Sequence, residues 1–265
     1  MKGSGATAAR LVAAIGAVLA IVGIFLDAVP GVSYWDSDGT LAWTGLILAA
    51  AALLLVAAGH LKSALDGWVF AIGAALAGYW SWFPAVTAFD DWDQTRAGMW
   101  LSLGGALLIA VGAAVTLLAA GRATTTPGGV TLPALVAGLG IVLVFPGIFL
   151  DAEKGALLDT GAAQSYWDYG PLGHSLGILM LILGVLSALA WGATLVGVTT
   201  RGLDVALTLV LLGLVAFLPA TAAFNRLGDL QAGAWLALAG GILAAGGTWA
   251  ARGGEAPQPA AAGAP

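Results

Sequence analysis

Eight apolar runs, each about as long as the 20 or so residues that cross a hydrocarbon core, follow one another along the chain with short linkers between them. They occupy 9–29, 41–60, 67–88, 97–120, 130–150, 172–197, 203–223 and 231–250. Water cannot be the solvent for so many apolar faces. Only 9% of the residues are charged, where a soluble domain carries about 25%. The sequence therefore predicts an all-α integral membrane protein of eight transmembrane helices, because a helix satisfies its own backbone groups in lipid. Small residues are abundant, with 40 glycines, and they let helix backbones approach closely. Small-xxx-small spacings such as Gly16/Ala20, Gly73/Ala77, Ala106/Ala110 and Gly241/Ala245 mark the expected contact faces.

The eight runs fall into two similar sets. "GIFLDA" stands at 23–28 and again at 147–152, and "SYWD" at 33–36 and again at 165–168. The second copy carries eight extra residues, near "EKGALLDT", between the two motifs. "FPAVTAF" at 83–89 parallels "LPATAAF" at 218–224, and "AGMWL" at 97–101 parallels "AGAWL" at 232–236. Four matched stretches in the same order indicate duplication. Each half holds an even number of spans, so both enter the membrane in the same direction, as four-helix repeats of parallel topology. The expected organisation is a first repeat over 1–125, a second over 126–252, and a disordered Ala/Pro-rich tail over 253–265. The first run resembles a signal peptide in its basic flank. It is expected to remain in the fold, because its end recurs deep in the chain and no small-residue cleavage site follows it.

Lys and Arg set the orientation. Lys2, Arg10, Lys62, Arg122, Arg201 and Arg252 fall on one side of the eight-span arrangement, and Arg96, Lys154 and Arg226 on the other. The expectation is a multi-pass protein of the plasma membrane with both termini cytoplasmic. The lipid bilayer is its first partner, and no nucleic-acid partner is expected.

The outer end then collects acids and aromatics. Asp27 and Asp151 each follow "GIFL" at the end of an apolar run. A carboxylate there must turn toward water or into the bundle. It either pairs with Arg96 or Arg226, caps a loop through backbone N–H groups, or forms part of a cation or proton site. Asp36 and Asp168 read as loop residues, solvated or closing an Asx turn. Tyr34, Trp35, Trp92, Tyr166 and Trp167 are candidates for an outer recognition surface, set against the ordinary role of such rings as an interfacial belt. Pro84 and Pro219 read as helix terminators. "FDDWD" at 89–93 reads as a solvated acidic loop, since its counterpart "FNRLG" keeps none of the acids.

Catalytic and cofactor signatures are missing from the sequence. The chain has no Cys and only two His, His60 and His174, which the eight-span arrangement puts on opposite sides of the membrane. No metal or cofactor is expected, and no enzyme activity. The leading expectation is a structural or partner-binding membrane protein whose outer loops meet a membrane or extracytoplasmic protein. The alternative is a small transporter or channel with Asp27 and Asp151 as a paired cation or proton site. A third possibility is a membrane enzyme acting at the outer face through a carboxylate pair.

Overall fold

The computed structural model describes residues 4–37, 39–59, 65–87, 95–119, 130–154, 163–168, 174–198, 200, 202–222 and 229–253. Within them the long elements are α1 (Ser4–Phe25), α3 (Gly39–Gly59), α4 (Asp66–Thr87), α5 (Ala97–Ala119), α6 (Leu132–Phe149), α7 (Ser175–Leu195), α8 (Leu203–Val215) and α10 (Ala232–Gly253). A short helix, α9 (Phe217–Ala222), continues α8 after a break at Ala216. Between α1 and α3 lie strands β1 (Asp27–Val29) and β2 (Val32–Ser33) and the one-turn helix α2 (Tyr34–Ser37). Between α6 and α7 lie β3 (Asp151–Lys154), β4 (Ala163–Ser165) and a 3-10 turn, Tyr166–Asp168.

Six helices, α1, α3, α5, α6, α7 and α10, are long and apolar enough to cross a bilayer. At about 1.5 Å per residue they match a hydrocarbon core of about 30 Å. The chain is a polytopic membrane protein on that ground. The sequence counted eight spans, and the other two runs hold α4 and α8. α4 has 22 residues, and only its part up to Trp82 lies among the fully described residues. α8 has only 13 residues before its break. Both occupy the middle of the bundle, where α4 packs on α3, α5 and α8, and α8 on α4, α7 and α10.

The tightest packing is between α1 and α5 and between α6 and α10, and glycines make it possible. Gly98, Gly105 and Gly112 on α5, and Gly233, Gly240 and Gly247 on α10, recur every seventh residue and so line one seam. A Cβ on Gly16 would stand 2.6 Å from the Gly105 carbonyl oxygen, and one on Gly140 would stand 2.6 Å from that of Gly240. Gly23 would meet the Ser102 backbone nitrogen at 2.5 Å, and Gly147 that of Ala237 at 2.6 Å. The four-residue pair Gly16/Ala20 read from the sequence faces Gly105 in this seam, and the seven-residue glycine spacing of α5 and α10 adds to it. At the centre, a Cβ on Gly78 of α4 would overlap the Val210 carbonyl of α8, and one on Gly213 of α8 would overlap the Ala75 carbonyl of α4.

The first apolar run was expected to reach residue 29. The helix instead ends at Phe25 and the chain turns into a hairpin. Pro30 holds the preceding residue extended, and Gly31 takes the left-handed conformation at φ 74°. β1 and β2 pair antiparallel, with Asp27 opposite Ser33. β3 and β4 do the same, with Asp151 opposite Ser165. Glu153 and Lys154, from the eight extra residues of the second copy, lengthen β3. Each hairpin is tied to the start of the next tight helix partner by one backbone bond, Arg96 N–H to Ala28 O and Gln231 N–H to Ala152 O, at 2.9 and 2.8 Å. We call this the hairpin end of the bundle.

Pro219 acts upstream of where the sequence placed its effect. It lies inside α9, and the helix breaks before it, at Ala216. Pro84 lies within α4, which continues to Thr87.

Candidate functional site: the hairpin end

The "SYWD" motif builds the same local device twice. Ser33 Oγ donates to Asp36 Oδ2 at 2.6 Å, and the Asp36 N–H donates back to Ser33 Oγ at 3.2 Å. Ser165 Oγ donates to Asp168 Oδ2 at 2.6 Å, and the Ser165 N–H reaches the same oxygen at 3.1 Å. Ser and an acid three residues later are the two arms of a capping box. Asp36 and Asp168 are therefore not free loop acids. They close the first turn that follows each hairpin.

Asp27 and Asp151 are both exposed at this end. Asp27 Oδ2 accepts the Gly31 N–H at 3.1 Å across the hairpin turn, which is a loop-capping arrangement. The Arg96 guanidinium donates to the Thr95 carbonyl. Arg226, Trp92 and the acidic stretch at 89–93 lie outside the described residues, as does His60.

Tyr34 and Tyr166 are 1% and 0% exposed, so their rings belong to the core and cannot belong to a recognition surface. The Tyr166 hydroxyl donates to the Val215 carbonyl at 2.9 Å. That carbonyl lies four residues before Pro219, whose ring nitrogen has no hydrogen to offer it. Tyr34 packs on Trp80 with ring centroids 4.5 Å apart, and burial pushes the pKa of its hydroxyl well above the ordinary tyrosine value. Beneath lies an aromatic layer in which Trp82 stacks on Phe217 at 3.8 Å.

Trp35 and Trp167 sit nearer the surface. Trp35 is 38% exposed and lies between Phe25 and Trp43, each at 5.2 Å. Trp167 is half-buried, 5.1 Å from Phe149 and stacked on His174 at 4.9 Å. His174 Nδ1 is 3.0 Å from the Trp167 carbonyl oxygen. Trp100 and Trp235, at equivalent places on α5 and α10, are exposed, as an interfacial belt requires.

Two ion pairs with buried carboxylates at the opposite end were not singled out from the sequence. Arg10 of α1 grips Asp66 of α4, with Nε to Oδ1 at 3.0 Å and Nη2 to Oδ2 at 2.7 Å. Arg252 of α10 grips Asp204 of α8, with Nη2 to Oδ1 at 2.5 Å, while Thr200 bonds both partners. Asp66 and Asp204 are each 4% exposed. The signal available was an acid at the start of the third run and another at the start of the seventh. Among the described residues no group of three His, Asp or Glu side chains gathers as a metal site.

Comparison with family models, curated proteins and solved structures finds no match for this chain.

Proposed function

We propose that the chain crosses the plasma membrane eight times, with α4 and α8–α9 as the third and seventh spans, and that its halves are parallel repeats about a pseudo-two-fold axis between α4 and α8. The reciprocal contacts of Gly78 with Val210 and of Gly213 with Ala75 support the axis, since 75 and 78 shifted by 135 are 210 and 213. The matched glycine seams support it again. The excess of Lys and Arg at the opposite end favours cytoplasmic termini and an outward-facing hairpin end.

The activity we assign is non-enzymatic: the hairpin end docks a membrane or extracytoplasmic protein. One observation carries this. Two hairpins bearing exposed Asp27 and Asp151 are held rigid by capping boxes, backbone ties and buried tyrosines. A surface ordered before binding loses little entropy when it binds. The test is a photo-crosslinking residue at Trp35 in intact membranes, compared with one at lipid-facing Leu54. A discrete protein adduct at position 35, suppressed by Asp27→Lys and Asp151→Lys, supports docking. Lipid adducts alone at both positions would assign the rings to the interfacial belt and retire the proposal.

A second reading, a small transporter or channel with Asp27 and Asp151 as its cation or proton site, is favoured by the exposure of both carboxylates at one end. It requires cation-specific thermal stabilisation, about 2.7 kcal/mol at a hundredfold excess over Kd, that disappears in Asp27→Asn with Asp151→Asn.

A further inference from the structure

We propose that the two Arg–Asp pairs, whose carboxylates are buried, form a releasable clasp at the end opposite the hairpins, which opens by separating α1 from α4 and α10 from α8. This goes beyond the docking role of the hairpin end and does not depend on it.

The two ends of the bundle carry described ties of different kinds. At the hairpin end the ties are backbone bonds at Arg96 and Gln231 and the Tyr166 hydroxyl on a carbonyl. At the far end each tie is a charge pair with a buried carboxylate and a partly exposed arginine, Asp66 with Arg10 and Asp204 with Arg252. Apolar side chains of similar volume hold two helices together at least as well as a buried ion pair does, so stability alone does not account for the charges. What a charge pair offers is two defined states, paired when closed and hydrated when open.

Duplication did not copy these pairs. Shifted by 124, Arg10 falls on Ala134, and shifted back by 135, Arg252 falls on Leu117. The acids enter from the central helices in both halves, while the arginines come from opposite members of the tight pairs, α1 in one half and α10 in the other. The same contact has thus been made twice from different helices, which shared ancestry does not explain.

Behind the second pair lies a polar step. Thr208 and Thr248 are buried between α8 and α10, with hydroxyls 2.9 Å apart, and Thr208 Oγ1 also donates to the Asp204 carbonyl. Opening the clasp exposes these hydroxyls to water from that side.

The absence of cysteine makes the test direct. Thr248→Cys reports on the clasp side and Ser102→Cys, buried among α1 and α5 toward the hairpin end, reports on the rest of the bundle. Labelling by a membrane-impermeant maleimide is followed in vesicles with the clasp side facing the reagent. In Arg252→Gln the Thr248→Cys reporter is expected to label at least about tenfold faster, because an unpaired buried charge favours the hydrated state. The Ser102→Cys reporter should stay protected. The charge exchange Asp204→Arg with Arg252→Asp should return labelling toward the starting rate. Unchanged labelling at Thr248→Cys overturns the clasp. Equal acceleration at both reporters also overturns it, since the pairs would then be holding the whole fold.

Discussion

The Tyr166 hydroxyl donates to the carbonyl of Val215, 49 residues away in sequence, at 2.9 Å. Pro219 leaves that carbonyl without its helical donor, and the tyrosine replaces the missing bond. One contact thereby fixes the second hairpin to the break between α8 and α9. Tyr166→Phe should cost about 1–3 kcal/mol, since it strands a buried acceptor. Pro219→Ala restores a backbone N–H four residues downstream. Combined with it, Tyr166→Phe should cost markedly less than it does alone. Reversible unfolding in detergent, read as a double-mutant cycle, measures the coupling.

The glycine seam makes a positional prediction. Gly105 faces the backbone of Gly16 and Ala20, whereas a Cβ on its neighbour Gly104 meets nothing within 4 Å. Gly105→Leu should destabilise the protein by at least about 1–3 kcal/mol through overpacking, and Gly104→Leu should leave it near wild type. Thermal unfolding of the two variants side by side decides the matter.

Ser165→Ala removes one arm of a capping box, worth about 1 kcal/mol. The loss should stay local. Hydrogen exchange at 163–168 should accelerate while the long helices keep their protection, and Ser165→Thr should behave nearly as wild type.

Tyr34 provides a pH prediction. Burial raises its pKa in the folded protein, so the unfolded chain gives up this proton first, at about pH 10. The folded state binds more protons above that point, and stability should fall as pH rises through the alkaline range. Tyr34→Phe should flatten the fall. Phenolate absorbance and unfolding, followed together above neutral pH, test both halves of the statement.

The six long apolar helices were legible because an apolar run near 20 residues has few other outcomes. The hairpins were not, since strands of two to four residues are too short for an alternating pattern to register. Their caps were in plain view: Ser33 with Asp36, and Ser165 with Asp168, have the spacing of a capping box. The glycine seam was half-legible. Gly16 and Ala20 were marked at a four-residue step and both meet Gly105, while the seven-residue run Gly98, Gly105 and Gly112 was not singled out. The burial of Tyr34 and Tyr166 follows from where the hairpins fold back, which no local pattern carries. The ion pairs join residues 56 and 48 apart and do not obey the repeat, so neither proximity nor symmetry pointed to them.

Each half keeps its closest packing and its ion pair to itself: α1 with α5 and Arg10 with Asp66 in one, α6 with α10 and Arg252 with Asp204 in the other. The halves meet chiefly where α4 crosses α8. On the proposed reading of the halves as parallel repeats, such a chain is equivalent to a dimer whose subunits share one polypeptide. The peptide link supplies the effective concentration that a free dimer would draw from its own affinity. Released from having to pair with an identical copy, each subunit could move an arginine or lengthen a hairpin without its twin. Severed between α5 and α6 and made as two pieces, the protein should still assemble, with the α4–α8 crossing as its subunit interface.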